Sequence, residues 1–94
     1  MHHLVKFEGK PVFVRTVTHH YTGRLGSLGE PTQPHLFIEL TDAAWIADDG
    51  RFADALKDGK LNEVEPYPDG PVLLGLGAIL DISEWHHDLP REQK

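Results

Sequence analysis

Apolar residues in this chain fall at period two more often than at period 3.6, and the segments they mark are short. Leu36-Phe37-Ile38-Glu39-Leu40 places Leu36, Ile38 and Leu40 on one face and is the clearest strand. Val12-Phe13-Val14-Arg15-Thr16-Val17-Thr18 is almost wholly β-branched or aromatic and predicts a strand on propensity. His19 to Leu25 predicts a second strand, or the far half of one bent strand, with Gly23 marking a bulge or bend. The loop Gly26–Pro34 is dense in Gly, Pro and Ser and predicts a hairpin connection; Ala43–Ala47 then continues the Leu36 strand or turns a corner.

One helix is expected, over about 51–58. Asp48-Asp49-Gly50 offers a cap, Phe52, Ala55 and Leu56 fall at i, i+3 and i+4, and Gly59 stands at the stop position. Glu63-Val64-Glu65 predicts an edge strand ended by Pro66 and Pro68. Val72 to Ile82 is the longest apolar run, too short to span a membrane. Its glycines, Gly75 and Gly77, disfavour a helix and predict one strongly bent, buried strand. Five short strands bent by internal glycines predict a mostly β fold, a small, strongly bent closed barrel with one short inserted helix.

The length, 94 residues, fits a single domain. The expected barrel core spans about 11–82, and a polar tail, 83–94, is expected to fray at Arg91-Glu92-Gln93-Lys94. A chain of this size buries roughly 60–65% of the surface its unfolded form exposes, which favours oligomers that add interface burial. The absence of cysteine excludes disulfides and cysteine-ligated zinc. With no long apolar run at the start and no spanning segment, the expectation is a cytoplasmic protein that makes no membrane contact.

Two local signatures resemble the Sm/LSm-like small barrels. Gly23-Arg24-Leu25 matches that family's G-x-L strand, and Leu40-Thr41-Asp42-Ala43 matches its L-x-D-A. Leu76-Gly77, followed by Ile79, Leu80 and Ile82, stands in the place of the family's R-G and the aliphatics after it. The resemblance covers roughly 11–82, interrupted by the helix-bearing segment 48–59. It implies a homo-oligomeric ring of five to seven subunits joined by strand pairing, with single-stranded RNA held at the pore by stacking and hydrogen bonds. The family's D-x-aromatic-hydrophobic-N stretch aligns with Gln33-Pro34-His35-Leu36-Phe37. His35 can replace the stacking aromatic, but Phe37 stands where the base-reading Asn belongs and Leu76 where the Arg belongs. By this resemblance the nucleic-acid-binding candidates are His35, Phe37 and Gly77. The segment Asp42–Asp48 is also similar to segments of small bacterial and phage-type proteins.

Charge weighs against RNA. The net charge is −6, and the nine basic residues are scattered with no two adjacent. Catalytic chemistry finds little support either. Six of the seven histidines come as adjacent pairs, His2-His3, His19-His20 and His86-His87, and strand neighbours point to opposite faces. A metal-assisted hydrolase would need one member of two pairs to converge, with Asp81 or Asp88 as a further ligand, and no H-x-H or H-E-x-x-H spacing favours this. Asp42 and Asp81 are expected to cap backbone N–H groups at strand ends. Ser27 and Ser83 lack a nucleophile context. Gly75-Leu76-Gly77 is expected to ease a bend rather than to cradle phosphate. No metal, cofactor or catalytic residue is therefore expected. Trp85, followed by His86, is the candidate anchor for a partner or neighbouring subunit. The expected function is a non-enzymatic, homo-oligomeric Sm-like scaffold or assembly module, with a single-stranded RNA-binding ring as the alternative and the metal-assisted hydrolase behind it.

Overall fold

The computed structural model describes residues 2–28 and 36–94. A 3₁₀ helix, His2–Phe7, leads into β1 (Pro11–Thr16), β2 (His20–Leu25), β3 (Phe37–Asp48), α1 (Phe52–Asp58), β4 (Glu63–Pro66), β5 (Val72–Gly75) and β6 (Ile79–Glu84). All pairings are antiparallel, in the order β4-β3-β2-β1-β6, with β5 also on β3.

The long strand β3 organises the bend. One of its edges pairs with β2 through Leu40–Ile46. Its other edge pairs with β5 at Phe37–Leu40 and with β4 at Ala44–Asp48. Between these stretches the β2–β3 ladder skips: Thr22 faces Ala44 and Arg24 faces Thr41, leaving Asp42 and Ala43 opposite Gly23. This is a β-bulge, with Asp42 at φ 49° in the left-handed region that Asp tolerates better than most residues. G-x-L and L-x-D-A thus meet at one structural feature, the kink that curls the sheet. Asp42 serves as the bulge residue instead of a strand-end cap.

The curl gives β1 two buried faces. Val12 and Val14 point into a core with Leu25, Ile38, Leu40, Ala43 and Leu74, closed by Leu4 and Phe7 of the 3₁₀ helix. Phe13 points the other way, into a second core with Ala44, Ile46, Ala55, Leu61, Val64 and Trp85. The first core is the inside of the bent sheet; the second lies under a cover made of α1 and the segment after β6. Burying a side chain the size of Phe13 is worth about 1.5–3 kcal/mol, so the second core is a substantial part of a small fold's stability.

Several expectations change. Six strands are present among the described residues, not five, because the apolar run Val72–Ile82 is divided. Val72–Gly75 pairs with β3 and Ile79–Glu84 with β1, and a 3₁₀ turn, Leu76–Ala78, makes the corner between them. Leu36 does not share the buried face of Ile38 and Leu40; it precedes β3 and is exposed. The helix is in place and Gly59 ends it at φ 72°, its N–H donating to the Ala55 carbonyl. The Asp48 carboxylate does not cap the helix but accepts the Gly50 N–H at 2.8 Å, and the N-cap position belongs to Arg51. Where fraying is expected, residues 91–94 lie hydrogen-bonded against the sheet. Lys94 and Val64 exchange both backbone hydrogen bonds, and Arg91 donates to the carbonyls of Ala43 and Tyr67.

Candidate functional site

The first candidate region is built by the corner between β5 and β6. Phe37 opens β3 opposite Gly75, and the Leu76 N–H donates to the Leu36 carbonyl at 2.9 Å, so the Leu36-Phe37 step and the 3₁₀ turn lie together. Phe37 is 56% exposed, an aromatic face open to solvent. Gly77 sits in the turn, with open space where a Cβ would stand. His35 and Gln33 lie outside the described residues.

Trp85 is only 3% exposed. Its ring stacks on Phe13 at 5.6 Å and its Nε1–H donates to the Asp88 carbonyl at 3.1 Å. Both the surface and the polar handle of this indole are used within the chain, so Trp85 is a core residue and not an exposed anchor. His86 is exposed, with Nδ1 3.6 Å from a Glu84 carboxylate oxygen.

The histidines diverge. His19 Nδ1 lies 2.8 Å from the Thr18 hydroxyl, and its ring meets Trp45 edge-on at 5.3 Å. His20 Nδ1 lies 2.8 Å from Asp49 Oδ2, and its ring meets Phe13. His87 Nε2–H donates to the Leu56 carbonyl at 2.9 Å, capping the C-terminal end of α1. Gly59 is required beside it, since a Cβ there would stand 2.8 Å from His87 Cγ. Among the described residues no three His, Asp or Glu side chains gather as a metal-ligating group.

A charged row crosses the outer face at β1. Arg15 forks onto the Asp81 carboxylate of β6, its Nε 2.9 Å from both oxygens, and its guanidinium lies over the Phe52 ring at 4.4 Å. The hydrogen bond and charge of Arg15 hold the Asp81 carboxyl below its usual range, against the smaller opposing effect of burial. Asp81 in turn raises the Arg15 pKa. Asp81 is therefore an ion-pair partner that docks α1 through Arg15, not a backbone cap. No sequence signal joins residues 66 positions apart; only the β1–β6 register does. On the inner side, burial followed by the neighbouring Tyr67 pushes the Tyr21 hydroxyl pKa up.

The second candidate region is the pair of strands whose outer edges carry no ladder among the described residues. β5 pairs only with β3, and β6 only with β1. Each carries an outward leucine, Leu73 at 62% and Leu80 at 66% exposure. Between the first 3₁₀ helix and β6 runs an open apolar groove of about 430 Å³, lined by Leu4, Phe7, Leu76, Ile79 and Ile82, with Lys6 and Asp81 supplying its charges. Leucines facing water beside unpaired backbone are costly unless something covers them. Among the described residues no helix is long and apolar enough to cross a membrane.

No family model matches the chain, and no curated protein matches it. Among solved structures it is similar to a heptameric archaeal Sm protein, described with its implications for the eukaryotic snRNP core. The likeness has a TM-score of 0.60 at 24% identity and covers 89% of this chain and 97% of the archaeal one. The fold is Sm-like.

Proposed function

We propose that this chain is a non-enzymatic, cytoplasmic assembly module that closes into a homo-oligomeric ring, the β5 edge of one copy pairing with the β6 edge of the next. The observation that carries the reading is that these two edges carry no ladder among the described residues while each presents an exposed leucine, with an apolar groove beside β6. Two different edges on one molecule make a head-to-tail contact, which repeats until the rotation closes. The heptameric state of the archaeal Sm protein supports the same reading. A Leu73→Glu variant places a charge on the β5 edge without touching either core. It should sediment as a monomer where the unaltered protein forms a closed species, and equal masses for the two would refute the pairing.

A second reading, single-stranded RNA held on the ring, is favoured by one feature, the exposed Phe37 ring beside the Leu76–Ala78 turn. Aromatic stacking is worth about 1–3 kcal/mol per base. Against it stand the net charge of −6 and the aliphatic Leu76 at the place of a guanidinium. The scaffold reading therefore takes precedence.

A further inference from the structure

The sheet has a third outer edge, that of β4, and the chain covers it with its own residues 91–94. Val64 N–H donates to the Lys94 carbonyl at 2.8 Å and Lys94 N–H to the Val64 carbonyl at 2.9 Å, the reciprocal exchange of an antiparallel ladder. Gln93 Nε2 donates to Glu65 Oε1 at 3.2 Å. Arg91 anchors the approach, donating to the carbonyls of Ala43 on β3 and Tyr67 after β4. Upstream, Trp85 and His87 pin the same segment to Phe13 and to the end of α1. The β4 edge thus accepts an extended backbone, and the chain's own segment shows in what register.

We propose that the outer edge of β4 is a strand-addition site, masked in cis by Arg91–Lys94, and that its partner in trans is the same segment of a second copy. The chemistry is that of β-augmentation: backbone hydrogen bonds supply affinity, and the Arg91 fork and the Gln93–Glu65 contact supply register. Identity of the cis and trans occupants follows from the fit, because the edge already satisfies this sequence, and exchange of an identical element is a low-cost route between copies. The mask has a consequence for the ring proposed above, on which this clause alone rests: with β4 covered, β5 and β6 are the edges left to pair among the described residues, and assembly closes instead of branching.

The test uses the full chain carrying Lys94→Pro, which removes one donor of the pair at a peripheral position, and the same chain carrying Arg91→Ala as well. The probe is a synthetic peptide of residues 89–94, read by the Val64 amide resonance and its hydrogen exchange. In the released variants Val64 should exchange at least about tenfold faster than in the unaltered protein, a loss of roughly 1.4 kcal/mol of protection. Added peptide should restore protection and shift Val64, while a peptide with Pro in place of Lys94 should do neither. The unaltered protein should ignore both. Slow Val64 exchange in both variants, or fast exchange that the peptide never slows, would overturn the proposal. Trp85 emission confirms that each variant stays folded, and Lys94→Pro alone leaves both cores untouched. A monomeric native protein whose released variant takes up peptide would remove the ring and keep the β4 site.

Discussion

Gly23 and Leu40 touch where the β2–β3 ladder skips a residue: a Cβ on Gly23 would stand 2.9 Å from the Leu40 Cβ. The obstacle is the root of a fully buried side chain, not the far end of a flexible one. Gly23→Ala should therefore cost about 1–3 kcal/mol, the usual range for overpacking a core. A urea unfolding midpoint unchanged within error would contradict this reading of the bulge.

Trp85 and His86 are neighbours with opposite surroundings, and their substitutions should separate cleanly. Trp85→Ala opens the second core and should cost about 3–5 kcal/mol. His86→Ala, at an exposed position, should stay within about 0.5 kcal/mol of the unaltered protein. Comparable losses from the two would mean that the α1 and tail layer is not a packed core.

The three central strands and the helix were legible because their patterns are local. Gly23 announces a bulge and Gly59 stands where a helix must stop, whereas nothing in the letters around Asp42 marks it as the bulge residue rather than a strand-end cap. The corner at Leu76–Ala78 was not legible, since an apolar run carries no period that marks where one partner strand gives way to another. The second layer was hidden for a different reason. Trp85 has the same composition signal whether it anchors a partner or fills a core, and the polar letters around it conceal the hydrogen bonds, from the Arg91 guanidinium and the Lys94 backbone, that hold the segment. Leu73 and Leu80 lie within the same apolar run, and only the topology shows that they face outward.

Asp81 gives stability a defined acid limb. Its folded-state pKa is lowered, so its contribution is fully present above the ordinary carboxylate range, near 4, and is lost as pH falls through the lower folded value. Side-chain exposures of 34% for Arg15 and 42% for Asp81 let solvent screen the pair, so the effect should be small at neutral pH. Urea midpoints of Asp81→Asn and the unaltered protein should differ slightly at pH 7 and converge as acid protonates Asp81. A gap that widens toward acid would reverse the assignment.

Phe37 separates the two functional readings. Phe37→Ala removes an exposed ring and should leave stability within about 0.5 kcal/mol. On the scaffold reading it changes no RNA property, because poly-U and poly-A should show no binding to either protein across a salt series. Salt-sensitive binding that falls with Phe37→Ala would promote the RNA reading.

The central claim is closure through the β5 and β6 edges, and native mass spectrometry of the untagged protein at two ionic strengths tests it most directly. A single closed species at an integral multiple of the chain mass, with no additional oligonucleotide mass, is the expected result. A protein that remains monomeric at high concentration would contradict it.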